Sequence, residues 1–196
     1  MNATPDDPAG GRLPLVTEPT AAQQQLLART LPTDSGEPIN LFRLLVGHPE
    51  LMKRVNALGG LFMAHSSLPA RAREFVILRT AVAARCPYEY AQHLGIAHGV
   101  GLSQGEIAAA GEPVGTVPAP EDLCLLAEAV DQLLSSDGLA EPTWERLRTG
   151  YSDEQLLELL LLPGFYRMLA GLLNAAQVPV DGHLAAVDVG AAARAR

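Results

Sequence analysis

Apolar residues recur at three- and four-residue intervals along most of this chain, the spacing that places them on one face of an α-helix. The two clearest stretches follow prolines, which fit the first turn of a helix. Pro49 precedes Leu51, Met52, Val55, Leu58 and Phe62, and Pro69 precedes Phe75, Leu78 and Val82. Further helices are predicted over residues 21–30, 39–48, 87–101, 103–111, 120–135, 142–150 and from 152 onwards, with proline- and glycine-rich loops between several of them. Because no segment reads convincingly as a strand, the pattern predicts an all-α fold.

Three parts of the chain differ in this pattern. Residues 1–20 are predicted to be an extended arm, residues 21–178 a helical domain, and residues 179–196 a tail.

Ser103 followed by Glu106 predicts a capping box at the start of one helix. The stretch from Leu156 to Leu162 is apolar on nearly every face, which indicates burial at a subunit interface as well as in the core.

That apolar stretch is a poor candidate for a membrane span. It continues to Leu173, contains Glu158 and Arg167, and is expected to be broken at Pro163 and Gly164. The N-terminal residues have neither a basic n-region nor an apolar h-region, so no signal peptide is predicted. We therefore expect a cytoplasmic protein without a membrane partner.

The composition supports the helical prediction and limits the kinds of binding partner that we expect. Leu and Ala together fill 62 of the 196 positions, whereas Val and Ile fill 17. The formal net charge is −8 and there is no basic run, so nucleic acid is not an expected partner. The two cysteines, Cys86 and Cys124, are too few for a disulfide-stapled secreted scaffold.

One short segment is richer in reactive side chains than the rest. Glu89 and His93 are four residues apart on a predicted helix, and Cys86 stands at or just before the start of that helix, on the same face. A helix N-terminus can lower the pKa of a thiol, and a carboxylate beside an imidazole fixes its tautomer. On the preceding helix, Glu74 could face this stripe if the two helices form a hairpin, and desolvation would then raise its pKa.

Purely structural interpretations of these residues remain open. Cys86 could be a small buried hydrophobe, and Glu89 with His93 could be a surface pair. Glu74 lies among arginines and could form a structural ion pair. Tyr88 and Tyr90 are candidates to hydrogen-bond a substrate carbonyl, although packing is the more common role for aromatic residues in the first turn of a helix. No metal site is expected.

The spacing of these residues resembles a known family. Glu74 is followed twelve residues later by Cys86 and seven residues after that by His93, and the segment GLSQGEI follows at 101–107. This order is similar to the core of the carboxymuconolactone decarboxylase family, which also holds the alkylhydroperoxidase D-like proteins. The RLPLV arm at 12–16 and the segment NLFRLLVGHPEL at 40–51 also resemble it.

The resemblance implies an all-α subunit with a helical-hairpin core that assembles into homo-oligomers, as trimers or hexamers. In the hydroperoxidase branch two cysteines in a C-x-x-C motif reduce peroxide. Here Glu89 stands at the position of the second cysteine, and Tyr88 stands at the position of the histidine that lies between the two cysteines in that branch. The decarboxylase-type branch uses acid–base chemistry without a cofactor, and the retained Glu74, Glu89 and His93 fit that branch better.

The sequence therefore predicts a cofactor-independent lyase or isomerase that acts on a small organic acid or lactone. In this interpretation His93 is the main acid and base, Glu89 orients it or relays protons, Glu74 is the second carboxylate, and Cys86 lines the pocket. Two alternatives stay open. One is a single-cysteine peroxidase with Cys86 as nucleophile, and the other is a non-catalytic oligomer that binds a ligand or partner.

Overall fold

The computed structural model describes residues 11–30 and 36–184 of the chain, and within these ranges every regular element is helical. The helices are α1 (Ala21–Leu27), α2 (Asn40–Leu45), α3 (Pro49–Ala64), α4 (Ala70–Ala83), α5 (Pro87–Gly99), α6 (Gln104–Gly111), α7 (Glu121–Ser136), α8 (Glu141–Gly150) and α9 (Asp153–Ala176), followed by a 3-10 turn at Gly182–Leu184. The all-α prediction is confirmed for the described residues. The division into arm, domain and tail stays a prediction, and residues 1–10 and 185–196 of the arm and tail lie outside the described residues.

The chain forms two compact units. Among the described residues, the first comprises 11–30, 36–65 and 172–184, and the second comprises 66–171. In the first unit the Asn40 amide donates to Asp181 Oδ1, and the Arg12 amide donates to the Ala176 carbonyl, so the described residues at both ends of this unit are held by hydrogen bonds. All of the candidate site residues belong to the second unit.

Helix α4 is the centre of the second unit. It packs against α5, α6 and α7, and every residue from Ala72 to Ala81 is buried. Arg79 ties these helices together, because its guanidinium binds the Asp131 carboxylate on α7 and the carbonyls of Ala110 and Glu112 at the end of α6. An element enclosed on all sides gives the side chains on it a fixed and water-poor environment.

The turn between α4 and α5 sets the start of the site. Arg85 adopts a left-handed conformation with φ of 50°, and the Cys86 amide donates to the Ala81 carbonyl, a common way of ending a helix. Cys86 is then the N-cap residue of α5 and Pro87 its first residue, as the sequence predicts. The predicted capping box of Ser103 and Glu106 at the start of α6 is also confirmed.

Helix α9 differs from the prediction in one respect. We expected a break at Pro163 and Gly164, but the helix runs without interruption from Asp153 to Ala176. A proline removes only one backbone hydrogen bond, and burial of the surrounding side chains, among them Leu159 and Leu162, compensates for that loss.

Within the described residues, α9 is the one helix long and apolar enough to cross a membrane. This judgement rests on length and composition alone, and 56% of its most apolar 18-residue window is buried inside the protein. A mostly buried apolar helix is typical of the core of a soluble protein.

Candidate active site

A buried acid–imidazole pair lies between the two helices of the hairpin. Glu74 of α4 is fully buried, and its Oε2 atom is 2.8 Å from Nδ1 of His93 on α5. Residues 74 and 93 stand at similar distances on either side of the turn, so this contact is the one expected of antiparallel helices. The predicted hairpin thus brings the first carboxylate to the imidazole.

The second oxygen of Glu74 is also bonded. Its Oε1 atom accepts a hydrogen bond of 2.9 Å from Nε of Arg73, so the predicted ion pair is present together with the contact to His93. Burial acts to raise the pKa of Glu74, but the hydrogen bonds and charges of His93 and Arg73 outweigh it and hold that pKa below its usual value. Our expectation of a raised pKa for Glu74 was therefore wrong, because desolvation is offset by two partners.

The raised pKa belongs to Glu89 instead. The residue is 3% exposed, and neither oxygen of its carboxyl group has a hydrogen-bond partner among the described residues. Burial raises the pKa of Glu89 well above its usual value, so the neutral carboxylic acid is favoured. The predicted pairing of Glu89 with His93 is also wrong, because the ring bonds to Glu74 and leaves Glu89 as a separate buried acid.

Cys86 is fully buried at the N-terminus of α5. Burial raises the pKa of its thiol to about 12, although the first backbone amides of the helix act in the opposite direction. We expected the helix N-terminus to favour the thiolate. Burial, however, destabilises the anion more than the backbone amides stabilise it. Cys86 is thus a neutral thiol beside a neutral acid.

Tyr166 on α9 is a part of the site that the sequence analysis did not identify. Its buried ring meets the imidazole of His93 with a centroid separation of 5.0 Å and an angle of 86° between the ring planes. Burial, together with the negative charge of Glu74, raises the pKa of Tyr166 well above its usual value. The only signal in the sequence is a hydroxyl-bearing aromatic residue in the middle of a very apolar helix.

Tyr88 and Tyr90 are both buried in the first turn of α5. They therefore stand close in sequence to Cys86 and Glu89, but burial alone does not distinguish packing from contact with a substrate. Their assignment as substrate-binding residues stays a prediction.

Two cavities within the described residues are lined by side chains other than the candidate site residues. One, of about 190 Å³, lies in the first unit and is lined by residues that include Glu37, Arg43 and His183. The other, of about 10 Å³, lies in the second unit beside Phe75 and Cys124. His93 lines neither of these two cavities, and the residue is 8% exposed.

The arrangement is suited to moving protons. One imidazole nitrogen of His93 is held by an ionised carboxylate, no described residue bonds the other, Nε2, and a neutral carboxylic acid lies on the same helix. Within the described part of the chain, no group of three or more His, Cys, Asp or Glu residues is placed to bind a metal ion.

Two comparisons relate this chain to known proteins, and among curated proteins none matches it. Residues 49–129 match the model of the carboxymuconolactone decarboxylase family. That range contains Glu74, Cys86, Glu89 and His93, so the match covers the hairpin and its acid–imidazole pair.

Several solved structures share the fold of the chain. An uncharacterized peroxidase-related protein from Ralstonia eutropha, described as an alkylhydroperoxidase AhpD core, is 19% identical, with a TM-score of 0.74 over 89% of this chain and 94% of its own. A second uncharacterized peroxidase-related protein, from a Silicibacter species, is 15% identical, with a TM-score of 0.77 over 94% of this chain and 97% of its own. At this level of identity the likeness concerns the fold.

The resemblance seen in the sequence is therefore confirmed by independent comparisons of sequence and of fold. The segment 49–129 is similar to the carboxymuconolactone decarboxylase family, and the chain has an alkylhydroperoxidase D-like fold.

Proposed function

We propose that the protein is a cofactor-independent lyase or isomerase that acts on a small organic acid or lactone. The observation that carries this proposal is the pairing of His93 with a buried, ionised Glu74 in the neighbourhood of a second carboxyl group, Glu89, that burial keeps neutral. Two carboxyl groups whose environments push their pKa values apart supply an orienting base and a proton donor.

His93 is the group that transfers protons. Glu74 accepts the proton on Nδ1, so the neutral ring has its lone pair on Nε2. When Nε2 takes a proton, the resulting imidazolium is stabilised by the adjacent carboxylate. Glu74 thus takes the orienting role that the sequence analysis gave to Glu89.

Glu89 is the proposed general acid. A neutral carboxylic acid in a water-poor site can protonate an oxygen on which negative charge develops, and its preference for the neutral form drives it to recover the proton afterwards. Cys86 lines the site as a neutral, apolar neighbour of this acid. We propose that the substrate meets His93 at Nε2, the nitrogen that Glu74 does not bind.

These roles suffice for the decarboxylation of a β-keto acid. The bond between the carboxylate and the α-carbon breaks, CO₂ leaves, and the electron pair forms an enol as Glu89 donates its proton to the ketone oxygen. The enol proton then returns to Glu89 while the α-carbon takes a proton from His93, which gains it from water. In an isomerisation no CO₂ is lost. His93 removes a proton from one carbon as Glu89 protonates the carbonyl oxygen, and the enol then returns its proton to Glu89 while His93 gives its proton to another carbon of the substrate.

A specific observation favours a second candidate, a single-cysteine peroxidase. Two of the solved structures with this fold are described as peroxidase-related proteins. Against this candidate, the nucleophile would have to be a thiolate, and burial raises the pKa of the Cys86 thiol to about 12. We therefore place it second.

We also propose that the protein assembles as a homo-oligomer. The three most exposed large apolar residues of the described chain are Leu157, Leu161 and Met168, at 65%, 61% and 54%, and they lie along one face of α9. Exposed apolar surface of this kind is typical of protein contacts. The trimeric or hexameric state implied by the family resemblance is consistent with such a face.

The first prediction concerns His93. Replacing it by Ala removes the proton-transferring group, so turnover of the best substrate in a panel of β-keto acids and lactone acids should fall by roughly 10²–10⁴-fold. Release of CO₂ and the appearance of the isomer are measured. The control is His98→Ala, because His98 is exposed on the same helix. Full activity in His93→Ala, or no turnover of any panel member by the wild type, would contradict the proposal.

The second prediction concerns the charge state of Glu89. Its folded pKa lies above the usual 4.5, so the folded protein holds a proton that the unfolded chain releases once the pH exceeds that value. Wild-type stability is therefore reduced progressively as the pH rises from 4.5 toward the folded pKa. Glu89→Gln cannot titrate, so its free energy of unfolding relative to the wild type should increase over that range, with a slope of at most about 1.4 kcal/mol per pH unit.

Urea denaturation at a series of pH values measures this difference. Glu158→Gln is the control. Hydrogen bonds from Ser66 and Ser67 outweigh burial and lower the pKa of Glu158. The free energy of unfolding of Glu158→Gln relative to the wild type should therefore decrease as the pH rises, the opposite of the change expected for Glu89→Gln. Parallel curves for the wild type and Glu89→Gln would show that Glu89 is ionised in the folded protein.

The third prediction separates the lyase from the peroxidase. With its pKa near 12 rather than 9.0, Cys86 has about a thousandfold less thiolate at neutral pH than an ordinary cysteine. Millimolar hydrogen peroxide followed by sulfenate trapping and mass spectrometry should therefore leave Cys86 unmodified. The half-buried Cys124 is the internal comparison. Rapid formation of a Cys86 sulfenate would favour the peroxidase instead.

The fourth prediction concerns assembly. Light scattering should give a mass that is a multiple of 20.7 kDa, and the double substitution of Leu157 and Leu161 by Glu should lower it. Since both side chains are exposed in the single chain, the double variant should retain its helical circular dichroism. A wild-type mass of one chain would contradict this proposal.

A further inference from the structure

His93 is held from two directions by two different helices. Glu74 of α4 accepts the Nδ1 proton, and Tyr166 of α9 presents its ring to the imidazole at 5.0 Å and nearly at a right angle. Tyr166 is itself held by the ring of Phe165, at 5.4 Å and 85°. Both aromatic rings are buried, so they have little freedom to move.

A single hydrogen bond does not fix the plane of an imidazole. The ring can still tilt about the line that joins Nδ1 to the carboxylate, and this tilt changes the direction of the Nε2 lone pair. A second ring packed perpendicular to the first removes that freedom, because any tilt would bring the two rings into steric contact or separate them. Two contacts on different sides of the imidazole therefore define where Nε2 points.

We propose that Tyr166 is a positioning residue, whose aromatic ring fixes the orientation of His93 so that Nε2 is directed toward the substrate. This inference rests on the proposed function for the statement that Nε2 exchanges protons with a substrate. The orientation of the ring itself can be tested without a substrate. Tyr166 acts through His93, and the contact that does so is made by its ring.

The electrostatic surroundings agree with this role. Burial, together with the negative charge of Glu74, keeps the phenol of Tyr166 neutral by raising its pKa well above its usual value. A neutral phenol does not compete with Glu74 for the proton on Nδ1. The side chain that packs against His93 is therefore uncharged.

Two substitutions separate the ring from its hydroxyl group. Tyr166→Phe keeps the ring, and Tyr166→Leu removes it while leaving an apolar side chain. Phe75→Leu is the matched control, because Phe75 is a buried aromatic residue of α4 for which no ring contact with His93 is found. Comparable unfolding midpoints for the two leucine variants show that the loss of core volume is matched.

The readout is nitrogen-15 NMR of the His93 side chain in the full chain. In the wild type we expect a resolved Nδ1 proton that exchanges slowly with water and the tautomer with the lone pair on Nε2. Tyr166→Leu should accelerate that exchange severalfold, because without the aromatic ring the imidazole can tilt away from Glu74 and its Nδ1 proton reaches water more often. Tyr166→Phe and Phe75→Leu should exchange at close to the wild-type rate.

With any substrate found in the panel, Tyr166→Leu should lower kcat more than it changes KM. Unchanged exchange in Tyr166→Leu would overturn the inference, and so would loss of slow exchange in Tyr166→Phe, which would assign the effect to the hydroxyl group. If Tyr166→Leu does not fold, Tyr166→Met takes its place. A panel without turnover, combined with the expected NMR result, would contradict the proposed function and leave the positioning of His93 supported.

Discussion

The buried contact between Glu74 and His93 is the interaction on which the rest of the site depends. A carboxylate removed from water is costly, and here the cost is met by His93 on one oxygen and by Arg73 on the other. Removing one partner of such a pair typically costs about 3–5 kcal/mol, because the remaining charge is left buried without compensation. The pair therefore fixes the packing of α4 against α5 as well as the tautomer of the ring.

The same hairpin holds two carboxyl groups in opposite states. Glu74 has two partners and a lowered pKa, whereas Glu89 has no partner among the described residues and a raised one. Both are buried, so burial alone does not decide the charge. The number of hydrogen-bond donors around each group decides it. Cys86 and Tyr166, which lie near these groups, are kept neutral by the same lack of water.

Much of this architecture could be predicted from local sequence signals. Prolines at helix starts, the capping box of Ser103 and the apolar periodicity indicate the helices, and the spacing of Glu74, Cys86 and His93 indicates a hairpin that brings the three together. The continuity of α9 through Pro163 could not be predicted, because it depends on packing that compensates for a missing hydrogen bond.

The assignment of roles within the site was less predictable. The i, i+4 spacing of Glu89 and His93 suggests a pair, yet the ring turns toward the preceding helix, where Arg73 helps to keep Glu74 ionised. Tyr166 was missed for a similar reason. It lies 73 residues from His93 in sequence and reaches the ring only through the tertiary packing of α9, which leaves no trace in the spacing along the chain.

The left-handed conformation of Arg85 limits where residues can be inserted into or deleted from this chain. The connector between the two helices is three residues long, and its hydrogen bond from the Cys86 amide to the Ala81 carbonyl fixes the rotational phase at which α5 begins. An α-helix turns by about 100° per residue. One inserted or deleted residue in this connector would rotate the imidazole away from its acid by more than a quarter of a turn, so length variation should be accommodated in other loops.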